Sequence, residues 1–131
     1  MAKIEFTIEH GLPFGKGEDK EMQYDVTLRS LTTGDVIDAR IAAEKVIFAP
    51  DPDSPGITKA ITVVSDVMVG LELLRRQIAS VGVHQGPLEM SMLRKFHPED
   101  FDLINQRAEM LDQATQVAEK RGRMEESINN A

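Results

Sequence analysis

Ile4, Phe6 and Ile8 alternate with Glu5, Thr7 and Glu9, and Met22, Tyr24, Val26 and Leu28 alternate with Gln23, Asp25, Thr27 and Arg29. A period of two with one apolar side marks a half-buried strand, because successive side chains leave opposite faces of the pleat. Between the two runs, Gly11 to Lys20 holds three glycines and a proline, residues that supply the turns needed to bring the chain back antiparallel. Residues 1–30 therefore predict a β-hairpin with a long tip.

The period then changes. Thr32-Thr33-Gly34-Asp35 offers side-chain oxygens to the free amides of a helix start. Beyond it Val36, Ala39, Ala43, Val46 and Ile47 fall on one helical stripe, and Ile37, Ile41 and Phe48 on a second. This spacing predicts a helix over 33–49 that touches two neighbours. Pro50 to Gly56 holds three prolines, which cannot continue a helix, so 50–57 reads as an exposed linker. Ile61, Val64, Met68, Leu71, Ile78 and Val81 return at spacings of three and four that predict a long helix over 58–81. The β-branched run Ile61-Thr62-Val63-Val64 leaves 58–64 open between helix and strand. After a break at Val81 to Pro87, residues 88–96 predict a short helix. Pro98 with Glu99 and Asp100 opens a last one over 98–121, with Phe101, Ile104, Ala108 and Leu111 as its apolar stripe. The polar residues 123–131 predict a frayed tail. The expected architecture is a single α+β domain over 1–122, an N-terminal antiparallel β-hairpin packed on about three α-helices, with a disordered C-terminal tail.

Composition narrows the function more than the fold. The 131 residues hold 15 Lys and Arg against 22 Asp and Glu, a formal charge of −7, so the field around the molecule repels phosphate backbones and nucleic acid is not an expected partner. There is no cysteine, which removes disulfides and thiolate zinc sites. The most hydrophobic run, Ile61 to Leu74, is interrupted by Ser65, Asp66 and Glu72 and is too short and too charged to span a bilayer. No membrane association is expected.

Candidate chemistry is sparse. His10, His84 and His97 lie in loop or cap positions without a second histidine four residues away, and they read as non-catalytic surface residues. Gly11 to Gly17 lacks the spacing and the Ser or Thr of a phosphate loop, and Asp51 to Thr62 lacks the twelfth-position Glu of a calcium loop. His97, Glu99, Asp100 and Asp102 could gather around a metal, but a capped helix start explains the same residues without one. Arg75-Arg76 and Arg94-Lys95 read as solvated helix faces first and an acidic partner's docking site second. No catalytic constellation and no cofactor motif is present, so an enzyme is not expected. What remains is an excess of apolar surface, broad helical faces and methionines at 68, 90, 92 and 110, suited to an adaptable protein contact. Val67, Met68, Leu71, Leu74, Met90 and Met92 are the expected partner-binding residues.

The run from Tyr24 to Ala39, a strand ending in Leu28-Arg29, a short turn, then Gly34-Asp35 opening an Ala-containing helix, resembles the phage tail assembly chaperone family of Mu-like and related contractile-tailed phages. Ile78 to Gly82, Leu88 to Phe96, and Pro98-Glu99-Asp100-Phe101 with Leu103 and Ile104 are similar to that family's break, short helix and Asp-led final helix. The chain departs from the pattern at Leu31, where members often carry proline. The resemblance implies a small, non-enzymatic phage or prophage protein of the host cytoplasm, not expected in the mature virion. It would bind the tape measure protein, keep its long apolar helices soluble and help tail tube protein assemble around it, often beside a frameshifted longer form. Arg29, Gly34 and Asp35 are expected to be architectural, linking strand end to helix start. Self-association is a further expected contact. A structural tail or baseplate accessory protein is the alternative, ahead of a small dimeric DNA-binding regulator, which the acidic charge disfavours.

Overall fold

The computed structural model describes residues 2–15 and 17–129, with the side chains of 19 and 117–129 outside the description. The expected frayed tail, 123–131, falls where side chains or whole residues lie outside the described residues. The fold is α+β, and its contacts form two compact units, Met1–Leu31 with Leu74–Ala131, and Thr32–Leu73.

In the first unit β1 (Lys3–Phe14) and β2 (Glu21–Arg29) form the expected antiparallel hairpin, joined through a single 3₁₀ turn at Gly17–Asp19. β5 (Ile78–Val81) pairs with the other edge of β2, and β6 (His84–Gln85) with β5, giving the order β1-β2-β5-β6. α3 (Met90–Leu93) and α4 (Pro98–Asn129) follow. The core gathers Ile8 and Leu12 from β1, Val26 and Leu28 from β2, Ile78 and Val81 from β5, and Ile104, Ala108 and Leu111 from α4, closed by Leu74, Leu88, Leu93 and Phe96. Of the apolar positions read from the strand and final-helix periods, Ile8, Val26, Leu28, Ile104, Ala108 and Leu111 are buried, Ile4, Phe6 and Phe101 are partly buried against them, and Met22 and Tyr24 are exposed.

The β1–β2 ladder keeps one register from Lys3↔Arg29 to Thr7↔Asp25, then resumes shifted from Leu12↔Gln23 to Phe14↔Glu21. The extra residues on β1 form a bulge. Gly11 takes φ +88° there, and a Cβ at this position would meet a Tyr24 ring carbon at 3.0 Å and Met22 Cβ at 3.2 Å, so the bulge requires glycine. The bulge turns three amides away from the ladder and onto one carboxylate, that of Asp100 in the first turn of α4. Glu9 N–H donates to Oδ1 at 3.0 Å, His10 N–H to Oδ2 at 3.1 Å and Gly11 N–H to Oδ2 at 3.0 Å. Asp100 is 1% exposed. A second tie holds the end of α2 (Asp66–Gln77): the buried Gln77 side chain donates to Asp112 Oδ1 of α4 at 3.0 Å. Burial pushes the Asp112 carboxyl above its ordinary range, with Glu109 adding to the effect and the Gln77 bond opposing it.

In the second unit α1 (Thr33–Ala42) opens with a capping box, Thr32 Oγ1 accepting from Asp35 N–H while Asp35 Oδ2 accepts from Thr32 N–H. Asp35 thus ties the helix start to Thr32. Gly34 carries no such demand, since a Cβ there would sit in ordinary contact, 3.7 Å from Thr32 Oγ1. β3 (Glu44–Pro50) and β4 (Thr58–Val64) then pair residue for residue from Glu44↔Val64 to Pro50↔Thr58.

Four expected elements differ from those observed. The helix over 33–49 stops at Ala43, and 44–50 is a strand, because Val46, Ile47 and Phe48 are β-branched or aromatic and find a partner of equal length in 58–64. The linker over 50–57 is the closing turn of that hairpin. Asp53 N–H donates to Asp51 Oδ1, Ile57 N–H to the Ser54 carbonyl, and Asp51 N–H to the Ile57 carbonyl at 2.9 Å. The helix over 58–81 is three elements, β4, α2 and β5, with 58–64 resolved as strand and 78–81 drawn into the sheet by its pairing with β2. The short helix expected over 88–96 is reduced to Met90–Leu93.

Replacing Asp100 with alanine leaves three partly or fully buried amides without an acceptor. It is expected to lower unfolding free energy by about 3 kcal/mol, and Asp100→Asn by about half of that. Urea denaturation reads this as a lower midpoint at unchanged slope. A loss under about 1 kcal/mol for the alanine variant would show that the bulge amides are satisfied without the carboxylate.

Candidate functional site

Two features stand out beyond packing, one in each unit. In the second unit the β3–β4 ribbon has apolar side chains on both faces. Ile61 and Val63 on one face are half-buried, whereas on the other Val46 and Phe48 are 64% and 73% exposed, beside exposed Ala60 and Val64. Cross-strand pairing sets Phe48 against Ala60 and Val46 against Thr62, so the open face is a continuous apolar strip along the ribbon. On α1, Ile37 and Ile41 stand one turn apart and are 53% and 60% exposed. At the start of α2, Val67 is 74% exposed, with Met68 and Leu71 half-buried behind it. A soluble monomer scatters such residues singly, whereas here exposed large apolar side chains recur within 42 residues of chain, 32 to 73.

The backbone adds to this surface. The bonds Ser65 N–H to Ala43 carbonyl and Asp51 N–H to Ile57 carbonyl fix the phase of the ladder, so odd-numbered residues of β3 bond to β4, while Glu44, Val46 and Phe48 turn their N–H and C=O groups to the outer edge. Among the described residues β3 has no strand on that side. An unpaired edge flanked by an apolar face offers a partner both main-chain bonds and side-chain burial.

The expected partner-binding residues are distributed unequally over this picture. Val67, Met68 and Leu71 belong to the second unit and are accessible wholly or in part. Leu74 is 5% exposed and part of the first unit's core, so it is not available on the folded surface. Met90 and Met92 are half-buried and packed against that core. Val46 and Phe48, the most exposed apolar pair of the ribbon, were hidden from sequence reasoning by the helical reading of 33–49. The signal that would have found them is the match in length and β-propensity between 44–50 and 58–64 across a Pro- and Asp-rich turn. Of the basic pairs, Arg75 is occupied internally, its Nη1 donating to the Leu88 carbonyl at 3.2 Å while Leu88 N–H donates to the Arg75 carbonyl. Arg29 donates to the neighbouring Ser30 carbonyl at the strand end.

The first unit's feature is a histidine pair. His10 lies in the β1 bulge and His97 just before α4, and the Asp100 clamp brings them together with their rings stacked at 3.6 Å and an interplanar angle of 13°. Glu99 accepts from His10 Nε2–H at 3.1 Å, and its own N–H donates to His97 Nδ1. The donor atoms of His10, His97 and Glu99 lie within 4.8 Å of one another. Rings stacked face to face point their in-plane lone pairs side by side rather than at a common point, so the arrangement holds a proton better than it chelates a metal. The acidic cluster expected around His97 separates in the structure: Asp100 is spent on the bulge amides and Glu99 on the histidines. The hydrogen bond to Glu99 raises the His10 pKa above the ordinary imidazole value, with Asp100, Glu99 and Glu9 adding charge of the same sign and desolvation opposing.

A raised folded-state value means that the His10–Glu99 bond stabilises the fold below the unfolded imidazole pKa of about 6.5, and that this contribution fades as pH rises through the His10 midpoint. Following the His10 ring proton by NMR, Glu99→Gln is expected to bring the midpoint down. An unchanged midpoint would assign the shift to another group.

The comparisons with known proteins agree with the sequence resemblance. The family model described as "Tail assembly protein gp41" matches residues 8–123. Over 119 residues the chain is 46% identical to "Probable tail assembly protein gp41" of Escherichia phage Mu, covering 89% of this chain and 78% of that protein. It is 39% identical over 123 residues to "Mu-like prophage FluMu protein gp41" of Haemophilus influenzae, covering 93% of this chain and 89% of the relative. To "Probable tail assembly protein FS-gp41" of Escherichia phage Mu it is 49% identical over 107 residues, 82% of this chain but 53% of that protein, so it spans about half that relative's length. No solved structure matches. Among the described residues no helix is long and apolar enough to cross a membrane. With most of its length matched by the family model and by relatives from a phage and a prophage, the chain belongs to the gp41 tail assembly protein family of Mu-like phages and prophages.

Proposed function

We propose that the protein is a non-enzymatic chaperone of tail assembly that captures the tape measure protein and keeps it soluble until tail tube protein surrounds it, acting in the host cytoplasm and leaving before the virion is complete. The observation that supports this reading is the open apolar surface of residues 32–73, with Ile37, Ile41, Val46, Phe48 and Val67 each more than half exposed. A tape measure is a long chain of helices whose apolar stripes would aggregate when unpaired, and helix capture requires an apolar surface on a carrier whose own charge keeps the complex in solution. The −7 charge supplies the second requirement. Met68 and Leu71, half-buried beside Val67, lend the surface adaptability of the kind that lets one site accept successive turns of a varied helix.

Co-expression with the tape measure protein of the same locus tests the reading by pull-down and size-exclusion chromatography. A soluble complex is expected to co-elute where the tape measure alone is insoluble. Val46→Asp with Phe48→Asp, at exposed positions that leave the fold intact, is expected to weaken capture at least ten-fold, and Met68→Asp with Leu71→Asp to do the same. Capture undiminished in a folded Val46→Asp, Phe48→Asp protein would remove the ribbon from the binding surface. A tape measure that stays insoluble beside the intact protein would remove the chaperone reading altogether.

A further inference from the structure

In the first unit, a trough of about 400 Å³ runs between the beginning of β1 and the middle of α4, with Ile4, Phe6, Met110, Leu111 and Ala114 as its apolar walls. One cation lies in it. The Arg107 guanidinium carbon sits 5.8 Å from the Phe6 ring centroid, and its Nη1 reaches only the sulfur of Met110, at 3.8 Å. Its Nε is buried without an acceptor, the one such side-chain atom among the described residues. Among those residues no carboxylate pairs with Arg107. Glu5 lines the same trough without bonding to it.

A buried N–H without a partner is a cost that a folded chain ordinarily avoids, and a guanidinium in apolar surroundings is poorly placed unless a carboxylate meets it. The Nη groups, at the exposed end of the guanidinium, form the end-on fork that donates two bonds to an arriving carboxylate. β1 is also an edge strand of its sheet. Along Lys3–Thr7 it pairs with β2 on one side only, so an extended segment laid on the other side could bond to its main chain and place alternate side chains in the trough. We propose that this trough is a second protein-binding site, separate from the apolar surface of residues 32–73. It takes an extended partner segment with apolar residues at alternate positions and one Asp or Glu among them, whose carboxylate closes on Arg107. The complementary charge selects an acidic residue, and the free strand edge selects a peptide rather than a free amphiphile.

The probe is an N-acetylated, C-amidated heptapeptide, Thr-Val-Thr-Glu-Thr-Val-Thr, with its Glu→Gln counterpart, each titrated to millimolar concentration into the ¹⁵N-labelled full chain and followed by NMR. The acidic peptide is expected to shift amides of residues 3–7 and 107–114 and to bind at least ten-fold tighter than the glutamine peptide. Arg107→Met is expected to erase that preference without lowering the melting temperature of the free chain, because methionine fills the space with no unpaired donor. Equal affinity for the two peptides, shifts confined to other residues, or no binding by either would overturn the proposal with the unmodified chain alone. A lowered melting temperature with the preference retained in Arg107→Met would assign the guanidinium to structure. None of these outcomes depends on tape measure capture, which reports on the other surface.

Discussion

One carboxylate organises the first unit. Asp100 receives three amides from the β1 bulge, and it does so from the first turn of α4, where the helix's own free N–H groups favour a negative charge. The bulge would otherwise leave three partly or fully buried donors without an acceptor, so bulge and helix position each other. That single set of bonds fixes where α4 begins against β1, and from it follow the burial of Ile104, Ala108 and Leu111 and the meeting of His10 with His97. Gly11 is the other half of the constraint, since only its left-handed conformation lets the strand turn its amides inward and still resume pairing with Gln23.

The two units distribute their apolar residues in opposite ways. The first buries an ordered cluster drawn from three strands and three helices. The second spends much of its apolar content on the surface, and Ala39 and Ala43 are its buried hydrophobic residues. A two-stranded ribbon gains little by itself, so the closing turn with its own hydrogen bonds and the capping box at Thr32 and Asp35 carry more of the local order than packing does. An apolar surface made in this way remains open without collapsing onto its own chain.

How much of this was legible in the sequence depends on which interaction decides each element. β1, β2 and α4 announce themselves because local period and tertiary burial agree: Ile4, Phe6 and Ile8 alternate, and Ile104, Ala108 and Leu111 recur at helical spacing. The span 44–81 misled because its apolar residues fit a helical stripe as well as a strand, and a pairing partner fourteen residues away decided between them. The likeness to the gp41 family was visible in the Leu28-Arg29 to Gly34-Asp35 segment and in the acid-led last helix, whose physical reasons now read as a strand end, a capping box and a clamp. Arg107 could not have been singled out: nothing in sequence distinguishes an arginine over Phe6 in a trough from the solvated ones.

The alternation along β3 has its own consequence for how occupancy of the ribbon can be watched. Lys45, Ile47 and Ala49 are tied to β4, whereas the amides of Val46 and Phe48 face outward. In the free chain, neighbouring residues should therefore trade hydrogen with solvent at rates that rise and fall with odd and even number. A strand laid along that edge would flatten the pattern, while a helix resting on the open face would leave it in place, so the rhythm of exchange distinguishes the geometry of an occupant without labelling it.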